Sequence, residues 1–327
     1  MPIESGTAVT SSVCPVELSI VVPLYNEFQN LDSFFRRLFA VLQRLEMTFE
    51  VICVDDGSTD NTLLGLLEYV RVQPSLKVIN LSRNFGKETA LTAGIDHAQG
   101  AAVVPLDADL QDPPELIVEF VEKWRKGYDV VYATRGSAKT DSWMKRATRR
   151  AFYWFIGHVG EIQIPSHTGD FRLLDRRVVD ALKKFPERTR FLKGLFAWVG
   201  FKQTAVYYDR PSRHAGASKW NYWQLWNFAL EGVTSFSSFP LKVWSYVGVA
   251  VSFCAVLYAA IIMIRTLVLG IDVPGYASLM VVILFLGGIQ LITLGVLGEY
   301  LSRIYYEVKG RPLYIVRESY GFNSPKP

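Results

Sequence analysis

The sequence predicts an α/β domain on a mostly parallel sheet, followed by amphipathic helices and a two-helix transmembrane hairpin. Three observations predict it. Before residue 140, short β-rich runs recur every 25–31 residues with helix-like stretches between them, the alternation that gives right-handed βαβ crossovers. Acidic residues collect just past several of these runs. Further on, 243–264 and 276–298 hold 22 and 23 residues without a formal charge, close to the roughly 20 apolar residues that cross a hydrocarbon core.

The predicted strands are 18–22, 49–54, 76–81, 101–106 and 129–133, with helices near 30–45, 60–72, 87–98 and 113–126. Residues 1–16 are expected to be a flexible N-terminus. They lack a basic n-region, and the apolar run at 18–24 is too short for a secretory signal. The α/β domain is expected over 17–220. Within it, 143–158 is read as an interfacial helix: Trp143, Ala147, Ala151, Trp154 and Phe155 share one side of the wheel, and Lys145, Arg146, Arg149 and Arg150 the other. A second interfacial helix, rich in Trp and Phe, is expected at 221–239. It leads into the hairpin at 240–300 and a tail at 301–327.

Charge placement orients the hairpin. The loop between the apolar stretches carries Arg265 as its only basic residue. Arg303, Lys309, Arg311, Arg317 and Lys326 follow the second, and Lys219 and Lys242 precede the first. The positive-inside rule then puts the N-terminal domain and both termini on the cytoplasmic side of a multi-pass cytoplasmic (inner) membrane protein.

Composition excludes several classes. The chain has 327 residues, 50% hydrophobic and 20% charged, so it is neither disordered nor fibrous. A net charge of +4 from 35 basic and 31 acidic side chains gives no argument for nucleic acid. Three cysteines without a CxxC pair and four histidines without HExxH spacing argue against disulfide scaffolds and zinc hydrolases.

The acidic clusters are Pro23-Leu24-Tyr25-Asn26-Glu27, Asp55-Asp56-Gly57-Ser58 and Asp107-Ala108-Asp109. They follow the first, second and fourth strands, at the carboxyl edge where open α/β sheets bind ligands. No GxG occurs, and Gly86-Lys87 lacks the upstream glycine of a P-loop, so dinucleotide and P-loop sites are disfavoured. Asp107 and Asp109 lie two apart, so both can approach one ion. Carboxylates plus substrate phosphate are the usual magnesium-type donor set.

The ordered motifs PLYNE, VDDGSTDNT, SRNFGKETAL, DADLQDPPE and GDFRLL, then Arg213, Gly216, Ser218 and Lys219 of an RxxGxSK, resemble the polyisoprenyl-phosphate glycosyltransferases of glycosyltransferase family 2 over about residues 17–315. These include the bactoprenol glucosyltransferases and, more distantly, dolichyl-phosphate mannose synthase. The QxxRW signature of processive synthases is absent. The resemblance implies a GT-A-like nucleotide-sugar domain with Pro23, Tyr25, Glu27, Asp55 and Asp56 in the nucleotide pocket, Asp56 being equally readable as a turn or cap residue. Arg83, Asn84, Gly86 and Lys87 would open an anion-favouring helix, or simply cap it. Asp107 and Asp109, helped by Gln111, would hold Mg2+ or Mn2+ and the diphosphate. Arg135, Arg149, Arg150, Arg213, Ser218 and Lys219 would bind phosphates, with a lipid-headgroup role equally open for Arg149 and Arg150.

Asp170 stands where the family carries a candidate catalytic carboxylate. A phosphate monoester has its second pKa near 6, so the lipid nucleophile is largely dianionic and leaves a base little to do. Asp170 is therefore expected to matter, as a base or as a group that orders the acceptor's arginines. The expected reaction is an inverting transfer of one sugar from a nucleotide donor to a polyprenyl phosphate such as undecaprenyl phosphate. UDP-glucose is the first choice; GDP-mannose, UDP-N-acetylglucosamine and a modified arabinose are alternatives, as is a catalytically silent anchor. Expected partners are the donor, the lipid, the membrane and further copies of the chain, up to a tetramer.

Overall fold

The computed structural model describes residues 16–135, 168–185, 187, 192–208, 239–269 and 275–322. The chain begins β1 (Leu18–Leu24), α1 (Leu31–Leu42), β2 (Phe49–Asp55), α2 (Thr62–Val72), β3 (Leu76–Leu81), α3 (Lys87–His97), β4 (Ala102–Pro105) and α4 (Leu116–Arg125). It continues through β5 (Val130–Arg135), β6 (Thr168–Asp175), α5 (Arg176–Lys183), α6 (Leu192–Trp198) and β7 (Gln203–Tyr208). Two long helices, α7 (Phe239–Leu269) and α8 (Tyr276–Lys309), precede a last strand, β8 (Val316–Tyr320).

The strands form one sheet in the order β7-β5-β6-β4-β1-β2-β3-β8. The centre is parallel: β1 pairs with β2 and with β4, and β2 with β3. β6 enters antiparallel between β4 and β5, and β8 closes the far edge antiparallel to β3. All five strands predicted from the sequence form; β6, β7 and β8 are additional. The strand direction and alternation explain the two-layer core. Ile20 and Val22 face α1, α2 and α4, meeting Phe34, Phe35, Leu66 and Phe120. Val21 faces the other way, with Ile52, Val54 and Val103, onto α3, α5 and α6. α1 repeats apolar residues at 31, 34, 35, 38 and 42, all buried, as a helix laid on a sheet requires. On the other layer Gly94 of α3 lies against Val21, where a Cβ would collide with the Val21 side chain.

The end of the sheet opposite the acidic clusters carries a buried polar network. Glu50, 2% exposed, accepts from Ser19 Oγ at 2.6 Å, Lys77 Nζ at 2.6 Å and the Gln99 amide at 2.7 Å.

α7 and α8 are helices of 31 and 34 residues where a hairpin was expected. Among the described residues one stretch, Phe285–Lys309, is long and apolar enough to cross a membrane, and Tyr246–Ile262 is a shorter apolar run. The apolar runs expected at 243–264 and 276–298 lie within α7 and α8 respectively. Many large apolar side chains on both helices are exposed, Phe253, Leu267, Phe285 and Leu291 among them. The expected tail at 301–327 carries secondary structure of its own. Helix continues to Lys309, and Val316–Tyr320 is a sheet strand. The interfacial helices expected at 143–158 and 221–239 lie outside the described residues, apart from Phe239.

Candidate active site

The strand order reverses direction at β1, which crosses to β2 on one side and lies beside β4 on the other. This is the switch point whose carboxyl-end crevice binds ligands in open α/β sheets. A cavity of about 460 Å3 opens there, lined by Pro23, Leu24, Tyr25, Glu27, Asp56, Asn84, Gly86, Lys87, Ala90, Asp107, Ala108 and Asp109. Nine of the residues singled out from the sequence are thus brought to one crevice: Pro23, Tyr25, Glu27, Asp56, Asn84, Gly86, Lys87, Asp107 and Asp109.

Each wall follows from local chain chemistry. Asn26, two residues past the end of β1, has a left-handed φ of 56°, a conformation Asn tolerates better than most residues. Its side-chain oxygen accepts from the Thr59 amide at 2.8 Å, and its own amide donates to Ser58 Oγ at 3.0 Å, tying the β1 and β2 loops together. Asn26 sits inside the PLYNE motif, yet was not singled out as a site residue. Glu27 follows; burial, reinforced by Asp109 and Asp107, raises its pKa against an opposing hydrogen bond from Asn30.

Asp55 and Asp56 separate in role. Asp55 is 1% exposed, and its Oδ1 is buried without a hydrogen-bond partner. Burial raises its pKa, with hydrogen bonds from Ser58 opposing. Asp56 accepts the Phe85 and Gly86 amides at 2.7 and 2.9 Å. Of the two readings left open for Asp56, the geometry displays a turn-holding one, although directed at the loop before α3. Gly57, with φ of 68°, lies where a Cβ would meet the Arg83–Asn84 backbone, so only glycine lets the two loops touch. Arg83 stacks over the Phe85 ring at 4.1 Å and donates to the Asn84 carbonyl.

α3 begins at Lys87 behind Gly86, whose φ is 96°. Lys87 Nζ bridges two carboxylates, Asp107 Oδ2 at 2.7 Å and Asp170 Oδ2 at 3.0 Å. Burial opposes the ammonium, but the two carboxylates outweigh it and raise its pKa. Burial raises the Asp107 pKa, and Lys87 opposes the rise. Asp170 arrives through β6. The β4–β6 pairs run Ala102↔Asp175 and Val103↔Leu174, and that register continued past β4 brings Asp170 level with Asp107. Behind it, Arg172 is 4% exposed, donates to the Gly169 carbonyl at 2.7 Å and covers the Phe196 ring at 4.2 Å. Burial pushes its pKa down to about 10, with Asp170 and Glu88 opposing.

The Asp107–Asp109 loop is shaped by its own sequence. Leu110 has a left-handed φ of 55°, and the Gln111 amide donates to Asp109 Oδ1 at 3.0 Å. Asp112, 6% exposed, receives the Tyr208 hydroxyl from the end of β7. Sequence reasoning missed Tyr208, whose partner Asp112 lies 96 positions away, and met Arg172 only as part of the GDFRLL motif. No group of three or more His, Cys, Asp or Glu suited to a metal occurs among the described residues. Of the four carboxylates lining the crevice, Glu27, Asp56, Asp107 and Asp109, the last two lie two apart on one loop, a pair that suits a divalent cation whose other ligands come from a bound phosphate. Arg135 ends β5, its backbone opposite Tyr208. Arg149, Arg150, Arg213, Ser218 and Lys219 lie outside the described residues.

The mixed α/β sheet, with an acidic crevice at its switch point, is GT-A-like, the arrangement of a glycosyltransferase domain. The chain belongs to glycosyl transferase family 2, whose model matches residues 19–183, and it is a glycosyltransferase. The model of the GtrB C-terminal hairpin matches residues 239–304. An uncharacterized glycosyltransferase of Synechocystis sp. is 60% identical over 306 residues, covering 94% of this chain and 96% of the relative. The SfII prophage-derived bactoprenol glucosyl transferase of Shigella flexneri is 47% identical over 310 residues, covering 94% and 100%. A prophage bactoprenol glucosyl transferase homolog of Escherichia coli K12 is 45% identical over 304 residues, covering 92% and 99%.

Proposed function

We propose that this glycosyltransferase moves a single sugar, glucose from UDP-glucose, onto a polyprenyl phosphate at the cytoplasmic face of a membrane. The observation that carries the reading is the Asp107–Lys87–Asp170 bridge at the mouth of a nucleotide-sized crevice, in a chain whose long helices expose apolar side chains. The relatives named as bactoprenol glucosyl transferases, alike over nearly their whole length, support the acceptor and the sugar. α7 and α8 would form the membrane hairpin. Arg135, Arg149, Arg150, Arg213, Ser218 and Lys219 would face the acceptor's headgroup and the donor diphosphate, where Arg suits bidentate phosphate contacts.

Asp55, with a buried oxygen lacking a partner, would accept a nucleobase N–H, and Tyr25 would flank the base. The amides opening α3 and the Arg83–Asn84 segment would face the diphosphate. Asp107 and Asp109, with Gln111 beside them, would hold Mg2+ or Mn2+. That ion supplies charge neutralisation for the departing nucleoside diphosphate. The acceptor phosphate oxygen attacks the anomeric carbon as the diphosphate oxygen leaves in line, inverting the configuration. Lys87 compensates charge beside the reacting groups, and Asp170 orients the acceptor's cationic partners.

The test incubates full-length protein in detergent with polyprenyl phosphate and a panel of radiolabelled nucleotide sugars. Labelled lipid from UDP-glucose, abolished by EDTA and restored by Mg2+ or Mn2+, is expected. Lipid labelling only from another donor would overturn the sugar assignment, and nucleotide release without labelled lipid would overturn the acceptor.

A further inference from the structure

We propose that β8 is a positioning element of the nucleotide loop: Ile315 and Arg317 hold Ser82, and through it set the Arg83–Lys87 segment for the nucleoside diphosphate. The proposal rests on the reading of that segment as nucleotide-binding.

Ser82 is the residue at which β3 becomes the loop, and β8 together with the residue just before it takes both of its main-chain groups. The Ser82 amide donates to the Ile315 carbonyl at 2.9 Å, and the Ser82 carbonyl accepts from Arg317 Nη2 at 3.0 Å. The ladder explains how Arg317 reaches it. The pairs run Val78↔Tyr320, Ile79↔Ser319 and Asn80↔Glu318, then shift to Leu81↔Val316. One residue of β8, Arg317, is therefore extra where β3 advances by one. Bulges of this kind re-aim a side chain and occur beside active sites.

The loop's other end is anchored independently, by Asp56 on the Phe85 and Gly86 amides. Arg83 and Asn84 thus span two fixed points, one supplied by β2 and one by the chain that has just left α8. Six residues, 310–315, separate α8 from β8, so the long apolar helix is tied closely to the loop. Other contacts hold this segment in place without Arg317. Tyr314 donates to Asp96 Oδ2 at 3.1 Å, and the Phe322 ring lies 5.8 Å from that of His97. Loss of the Arg317 contact should accordingly loosen the loop and leave the strand seated.

The experiment uses the full chain in detergent, with UDP and GDP as calorimetric probes, hydrogen exchange across 82–86, and steady-state transfer. Arg317→Ala is expected to weaken binding of whichever nucleotide the wild type binds by about fivefold and to raise the donor KM similarly. Amide exchange at 82–86 should quicken, while acceptor KM and thermal midpoint stay at wild-type values. Arg317→Lys should recover part of the affinity, and Ser319→Ala should behave as wild type. Arg317→Ala binding nucleotide as tightly as wild type would overturn the proposal. So would a lowered thermal midpoint with equal losses toward donor and acceptor, which marks a purely structural strand. A wild type that binds neither nucleotide would overturn the functional reading itself, and this proposal with it.

Discussion

Lys87 and Asp107 face each other at 2.7 Å across the mouth of the crevice, and the same ammonium reaches Asp170 at 3.0 Å. Two carboxylates, one from the loop after β4 and one from β6, therefore share one cation from α3. Without it, they would repel each other in a partly desolvated site. Replacing Lys87 with Met keeps the stem and removes the charge. Transfer is expected to fall by about a hundredfold, the loss typical of a removed charge-stabilising donor, while circular dichroism stays unchanged. Steady-state rates with saturating donor and acceptor check it; a loss under threefold would remove Lys87 from the charge-compensating role.

Asp55 gives a prediction of opposite sign for stability and binding. Burial raises its pKa in the folded protein above the ordinary value near 3.8. The folded state thus holds this proton more tightly than the unfolded chain. Its stabilising contribution is complete below the unfolded value and is lost as pH rises through the folded value. Asp55→Asn removes that loss. The variant is expected to melt higher than wild type at pH 7, with the difference closing toward pH 4, and to bind nucleoside diphosphate about tenfold more weakly. Melting curves across this range, paired with calorimetry, check both halves.

The elements read most securely from sequence were those with local causes. β1 to β4 are buried parallel strands, and such strands appear as short continuous apolar runs. The crevice residues were legible because polar residues at strand ends are conspicuous against those runs. β6 was quoted only as a motif, for Asp170 and Arg172 interrupt its apolar character. β8, with Arg317, Glu318 and Ser319 exposed, carries no periodic signal and is defined by its pairing with β3. The Lys87–Asp170 contact spans 83 positions. It exists because β6 inserts beside β4, a topological fact that no local pattern carries.

Glu50 tests the opposite end of the sheet. It holds Lys77 at 2.6 Å with side-chain exposures of 2% and 15%, and it also serves Ser19 and the Gln99 amide. Glu50→Ala leaves these donors and a half-sheltered ammonium without their acceptor. Breaking a buried pair from one side costs about 3–5 kcal/mol. Thermal or urea unfolding should show a loss of that order, and nucleotide binding should persist in the folded fraction, since the crevice lies at the other end of the strands. A loss below about 1 kcal/mol, the range of exposed pairs, would mean the network is effectively solvated.

Asp170 separates two mechanisms. The Lys87 ammonium holds the Asp170 carboxylate at 3.0 Å, and the acceptor phosphate already carries most of its negative charge near pH 7. If Asp170 positions, the wild-type rate should follow phosphate ionisation near pH 6, a property of the substrate. Asp170→Asn would then lose rate through a misplaced acceptor and keep the same acid limb. If Asp170 were a base, the limb would belong to the enzyme and would disappear in the variant. Mn2+ binding, followed separately by its paramagnetic effect on water relaxation, should be unchanged by Asp170→Asn, which excludes a shifted metal site as the cause. The expected outcome is an acid limb retained in Asp170→Asn with a rate at least tenfold lower throughout. Its disappearance, with Mn2+ binding intact, would restore the base and remove the positioning role.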